Sequence, residues 1–146
     1  MNRTEPVELT NMCMIYSEDF LLMQNRIKDD WKGWVFPGSH VEKDEIIADS
    51  VIREVKEETG LDIEKPVLCG IKEFKGKNGR YIVFFYKTNK FSGKLCSSDE
   101  GEVKWIKRAE LNSYPLVSHF REMLEVFDNP SISEFYYDEN WKPVLK

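Results

Sequence analysis

Histidine and cysteine are scarce: two of the first and three of the second in 146 residues. Cys13, Cys69 and Cys96 lie far apart, odd in number and without C-x-x-C spacing, which excludes a disulfide framework and a zinc site built on cysteine pairs. They are expected to be buried thiols in a reducing cytoplasm. Basic charge is also short: 26 acids outweigh 21 bases, for a net charge of −5. A surface of that sign does not hold DNA or RNA by neutralising phosphates, and an anionic partner needs a bridging cation. No stretch approaches the roughly 20 apolar residues of a membrane span, and the opening "MNRTEPVELT" lacks the apolar core of a signal peptide. The expectation is a soluble, cytoplasmic protein with no membrane partner.

What is present is a real core: 41% of residues are apolar and 13% aromatic. No linker, repeat or low-complexity segment interrupts the chain, so residues 1–146 are expected to form one domain. "NMCMIYS" and "FLLMQNR", separated by "SED", predict a hairpin, and "WVF" before Pro37 a third short strand. "PVLCGIKEF", "RYIVFFYKT" and "EVKWI" predict further strands, with turn signals at "GKNG" and "FSG". Leu116, Val117, Phe120, Leu124 and Phe127 recur at helical spacing and predict an amphipathic helix ending near "DNP". Strands around one early and one late helix predict a mixed sheet with a helix on each face.

The early helix lies within "GSHVEKDEIIADSVIREVKEETGLDI". Asp44 is the expected N-cap and Gly60 the expected left-handed C′ residue. Ile47, Val51 and Val55, flanked by Ala48 and Ile52, form one apolar stripe, with Glu54 and Glu58 at its margin and Glu57 further round. Arg53 has Asp49 and Glu57 four residues away on either side, whereas Glu54 and Glu58 have no base three or four positions away. Like charges so placed cost about 0.2–0.5 kcal/mol when exposed and more when desolvated. Two readings follow: a solvated acidic face, or hard oxygen ligands awaiting Mg²⁺ or Mn²⁺. The loop "FPGSHVE", which brings open backbone to the helix N-terminus, favours the second.

At this point the segment resembles the Nudix family. Glu45, Arg53, Glu54, Val55, Glu57, Glu58, Gly60 and Leu61 match the box G-x5-E-x7-R-E-U-x-E-E-x-G-U over residues 39–61, with Ser39 at the first, glycine position. "WVFPGSHVEKDE" also resembles the "FPGGHVEKGE" run of the MutT-like branch of 8-oxo-dGTP diphosphatases, where glycine often stands at the place of Asp44. The resemblance implies an α+β fold, the Nudix-type α/β/α sandwich with a mixed β-sheet between helices. It implies a hydrolase of nucleoside diphosphates linked to another group, with Mg²⁺ or Mn²⁺ held by Glu54, Glu57, Glu58 and the backbone carbonyl of Gly38. A further ligand from a later loop is expected at Glu102, with Glu100 as the alternative. Glu54 is the expected general base and Glu57 the runner-up; Arg53 orients Glu57, and Glu45 braces loop and helix. Arg26 and His40 are expected to meet the substrate. Ser39 raises the question of backbone strain if positive φ is required there.

For a base, Trp31, Trp34, Phe36, Tyr81 and Phe85 are stacking candidates that equally suit a core. His119 reads as helix packing or surface. The aromatic tail "SISEFYYDENWKPVLK" is expected to dock on the domain, with Asn140 and Trp141 near a base. The first expectation for function is a house-cleaning enzyme that hydrolyses oxidised purine nucleotides such as 8-oxo-dGTP to the monophosphate and pyrophosphate, with a small nucleotide as its partner. Another Nudix substrate (ADP-ribose, a dinucleoside polyphosphate or an RNA 5′ end) and a nucleotide-binding module without turnover are the alternatives.

Overall fold

The computed structural model describes residues 2–146. The chain runs β1 (Val7–Ser17), β2 (Phe20–Arg26), β3 (Gly33–Val35), α1 (Ile47–Thr59), β4 (Leu61–Ile63), β5 (Val67–Gly76), β6 (Gly79–Thr88), β7 (Phe91–Gly93), β8 (Val103–Lys107), α2 (Phe120–Asp128), β9 (Glu134–Tyr137) and β10 (Pro143–Leu145). The main sheet is mixed, in the order β10-β9-β5-β6-β1-β2-β3, with β8 paired to β2; β4 and β7 form a separate ladder. The expected α+β sandwich is what forms, because alternate residues of β1 feed two cores. Met12 and Met14 pack towards α2 with Phe36, Phe85, Phe120 and Phe127. Cys13 and Ile15 pack towards α1 with Val51, Val55 and Leu61.

β1 and β2 pair only at their turn, through Tyr16–Leu21 and Ser17–Phe20, and then splay apart. Residues 37–41 fill the gap: Asn11 N–H donates to the Ser39 carbonyl at 2.8 Å, Cys13 N–H to Pro37 at 2.9 Å and Val41 N–H to Leu9 at 3.0 Å. This wedge presents the loop before α1 as a rigid, strand-like segment. Gly38 is required by contact, since a Cβ there would stand 2.1 Å from the Asn11 carbonyl oxygen.

Several expectations need correction. α1 starts at Ile47 with Ile46 as its cap, three residues beyond Asp44, because Asp44 turns the chain at φ 64. Gly60 ends the helix in the left-handed conformation as expected, at φ 80. Leu116 and Val117 precede α2, and the chain there lies along Trp34; His119 at φ 63 separates that stretch from the helix. Cys96 is exposed and Cys69 only partly buried, so burial of the thiols holds for Cys13 alone. The tail docks as expected, as β9 parallel to β5 and β10 antiparallel to β9. Among the described residues no helix is long and apolar enough to cross a membrane.

Candidate active site

Glu54 and Glu58 are much deeper than the margin of an apolar stripe, at 7% and 3% exposure. The face of α1 that buries Val51 and Val55 carries both carboxylates inward with it. Burial pushes the Glu58 carboxyl up to about 8, with the neighbouring Glu54 charge adding to the effect. Glu54 is also raised: desolvation outweighs its ion pair with Arg53. Glu58 Oε2 and Gln24 Nε2 are buried atoms without a hydrogen-bond partner, an arrangement that costs about 1–3 kcal/mol per group unless something else fills it.

Arg53 organises the rest. Its Nε donates to Glu45 at 2.7 Å, one terminal nitrogen to Glu54 at 2.6 Å and Glu57 at 3.2 Å, and the other to Glu45 at 2.9 Å and the His40 carbonyl at 3.2 Å. Glu54 therefore has a base beside it in sequence, which a count at three and four positions misses. Asp49 is not a partner of Arg53; Glu45 takes that place. Glu45 also accepts the Glu42 N–H at 2.9 Å, and the guanidinium holds its carboxyl down to about 2. The brace expected of Glu45 is thus present, and Arg53 holds Glu54 as well as Glu57.

The carbonyls of Pro37 and Ser39 both accept β1 amides, so the Gly38 carbonyl between them points away from β1. Ser39 is not among the residues with positive φ, and the strain weighed for it falls instead on Asp44. Glu102 lies just before β8. Val103 packs in the α1-side core, so Glu102 and Lys104 project to the other face, where Glu102 acts on the Lys104 charge. Glu100, the alternative, is the later acid whose charge reaches Glu58, and it lies 3.6 Å from Lys28. Among the described residues no three acidic, histidine or cysteine side chains converge on one point, since Arg53 stands among the carboxylates.

His40 pairs with Glu8 at 2.6 Å, and Arg26 reaches Asp30 at 3.3 Å. Both stand beside an aromatic cradle. The Tyr81 ring is 6.4 Å from His40 and stacks on Phe74 at 4.7 Å, while Phe74 approaches Tyr137 and Trp141 at 6.1 and 6.3 Å. The Arg26 guanidinium lies 5.8 Å from the Trp31 ring centre. Of the stacking candidates, Trp34, Phe36 and Phe85 are core, and Trp31 and Tyr81 are only partly buried. Trp141 lies 5.2 Å from the Tyr137 ring, and His119 contacts the Tyr137 hydroxyl at 3.2 Å. Gln24, Lys72, Phe74 and Tyr137 were missed; their strand alternation alone does not distinguish lining from packing. A cavity of about 810 Å³ lies at the β5-β6-β9 side, lined by Glu5, Glu73, Arg80, Glu134 and Lys146 together with Phe74 and Tyr137 of the cradle, and by none of the box carboxylates.

A mixed sheet between two helices, with a strand–loop–helix unit that concentrates acids on the buried side of its helix, defines a narrow class of protein. The NUDIX domain family model matches residues 8–127, and the chain belongs to that family. It is 34% identical over 110 residues to the uncharacterised Nudix hydrolase YvcI of Bacillus subtilis, covering 71% of this chain and 68% of that one. Against the 8-oxo-dGDP phosphatase NUDT18 of Homo sapiens it is 29% identical over 127 residues, 78% of this chain but only 38% of that protein. The crystal structure of the MutT protein from Bacillus halodurans superposes with a TM-score of 0.76 at 23% identity, covering 95% of this chain and 96% of that one. Nudix hydrolases act on phosphoanhydride bonds of small nucleotide derivatives and generally use divalent metal ions.

Proposed function

We propose that this chain is a Mg²⁺- or Mn²⁺-dependent nucleoside triphosphate pyrophosphohydrolase acting on oxidised purine nucleotides such as 8-oxo-dGTP, releasing the monophosphate and pyrophosphate. The observation that carries the metal is the buried pair Glu54 and Glu58, in which one Glu58 carboxylate oxygen has no hydrogen-bond partner. Hard oxygen donors at the end of a desolvated acidic site fit a small divalent cation. Glu54, Glu57, Glu58 and the Gly38 carbonyl would hold it, with Glu100 proposed in place of Glu102. When bound, the ion neutralises the phosphate chain and lowers the pKa of an attacking water.

The chain's own residues supply the rest. Burial keeps Glu54 basic enough to take a proton from water, and Arg53 fixes its direction. Glu57, the runner-up base, is the more exposed carboxylate and is free to turn from Arg53 towards a ligand. The wedge at Gly38 keeps the loop carbonyl at a set height, which positions the polyphosphate against the helix. Arg26 and His40 are proposed to meet the nucleotide between the carboxylates and the aromatic cradle. A cradle of Trp31, Phe74, Tyr81 and Tyr137 offers flat, half-buried faces suited to a purine. The likeness to an 8-oxo-dGDP phosphatase supports the branch, as does the loop sequence.

A substrate panel tests the reading. With Mg²⁺, 8-oxo-dGTP is expected to exceed dGTP in kcat/KM and to release pyrophosphate, and chelation is expected to stop both. Preference for ADP-ribose or a dinucleoside polyphosphate would refute the substrate while leaving the metal chemistry; binding without turnover of any nucleotide would refute the enzyme.

A further inference from the structure

Lys72 lies in the middle of β5 at 6% exposure, with no carboxylate at its ammonium. Its Nζ is 4.7 Å from the Trp31 ring centre, 5.2 Å from Phe135, 5.5 Å from Tyr137 and 5.7 Å from Phe74. Its one polar contact is the Met123 sulfur at 3.7 Å, a weak acceptor. Burial lowers its pKa to about 8, so the amine still carries its proton in most molecules at pH 7. Cation–π attraction to the rings offsets part of the desolvation cost but satisfies none of the three N–H donors directionally. Methionine or leucine would fill the same space at lower cost. Three of the four rings around this ammonium belong to, or border, the aromatic cradle of the proposed nucleotide site.

We propose that Lys72 is a specificity-determining residue that donates to a carbonyl oxygen of a keto purine, so that the cradle takes guanine-type and oxidised guanine bases and rejects purines lacking a carbonyl. This rests on the nucleotide-hydrolase reading above. An ammonium is a donor only, and it matches a keto oxygen but meets the exocyclic amine of adenine donor against donor. Excluding the matched oxygen leaves the ammonium buried and unpaired, which makes discrimination large relative to any gain in stacking. The surrounding rings set the base plane, and the lysine sets which edge enters.

Binding is measured by calorimetry without metal for dGMP, 8-oxo-dGMP, dAMP and the 2-aminopurine deoxynucleoside monophosphate. The wild-type chain is expected to bind both keto nucleotides at least tenfold tighter than the two without a carbonyl. Lys72→Met is expected to lose that ratio while binding dAMP as well as or better than the wild type. A thermal melt of the variant no lower than that of the wild type shows that the loss is one of recognition. Comparing dGMP with the 2-aminopurine nucleotide removes the carbonyl from the ligand and needs no variant, so poor folding of Lys72→Met leaves the test intact. Equal wild-type affinity for those two nucleotides, or an unchanged ratio in Lys72→Met, overturns the proposal. Mg²⁺-dependent hydrolysis by wild type that survives such a result shows that the lysine assignment failed and the hydrolase reading did not.

Discussion

Replacing Glu58 with glutamine should stabilise the metal-free protein. The Glu58 carboxyl is 3% exposed, one of its oxygens has no partner, and burial beside Glu54 raises its pKa from 4.5 to about 8. Below pH 4.5 folded and unfolded chains both hold the proton, and the site costs nothing by this route. As pH rises from 4.5 to 8 the unfolded chain releases its proton while the folded one keeps it, so stability falls through that window. At pH 7 the accumulated cost is about 3 kcal/mol, at roughly 1.4 kcal/mol for each unit between the two values. An amide of the same shape escapes this cost, and loses about 1 kcal/mol for its own imperfectly partnered donors. The Gln variant should therefore gain about 2 kcal/mol at pH 7, or roughly 5–10 °C in Tm, with the difference shrinking towards pH 4.5. Urea or thermal melts of both proteins in chelator at pH 5, 6, 7 and 8 measure it. Adding Mg²⁺ should raise the wild type and leave the variant nearly unmoved. A variant no more stable at pH 8 than at pH 5, relative to wild type, would refute the assignment of Glu58 as a strained carboxyl waiting for a cation.

Three further outcomes are expected. Arg53→Gln leaves Glu54 buried without its counter-charge and frees Glu45, and should cost about 3 kcal/mol in urea titration at pH 7 together with most of the turnover; full activity would show that Arg53 is dispensable for carboxylate placement. Asp44→Gly relieves a side chain at φ 64 and should be neutral or up to about 1 kcal/mol stabilising by thermal melt, with activity kept. Gly38→Ala drives a Cβ to 2.1 Å from the Asn11 carbonyl oxygen, so the loop must leave β1; a loss of about 2 kcal/mol or more and at least a tenfold fall in kcat is expected, and near-normal kinetics would remove the carbonyl from the site.

The acid cluster was legible in the chain itself because helix periodicity is a local property: Val51, Val55, Glu54 and Glu58 share a face wherever the helix lies. The strands around "NMCMIYS" and "RYIVFFYKT" were legible for the same reason, since alternation and β-branched or aromatic content act within a few residues. β4, β7, β9 and β10 were not, being three or four residues long and formed by pairing with distant partners. How deep Glu58 lies could not be read locally, because it depends on groups far away in sequence such as Gln24 of β2 and Glu100. The same limit applied to Asp44, whose left-handed turn at φ 64 moves the start of the helix to Ile47. Lys72 shows the difference most clearly. In sequence it is an ordinary polar residue between Ile71 and Glu73; only the return of the tail, which brings Phe135 and Tyr137 alongside β5, encloses its charge in rings and makes its burial a question of function.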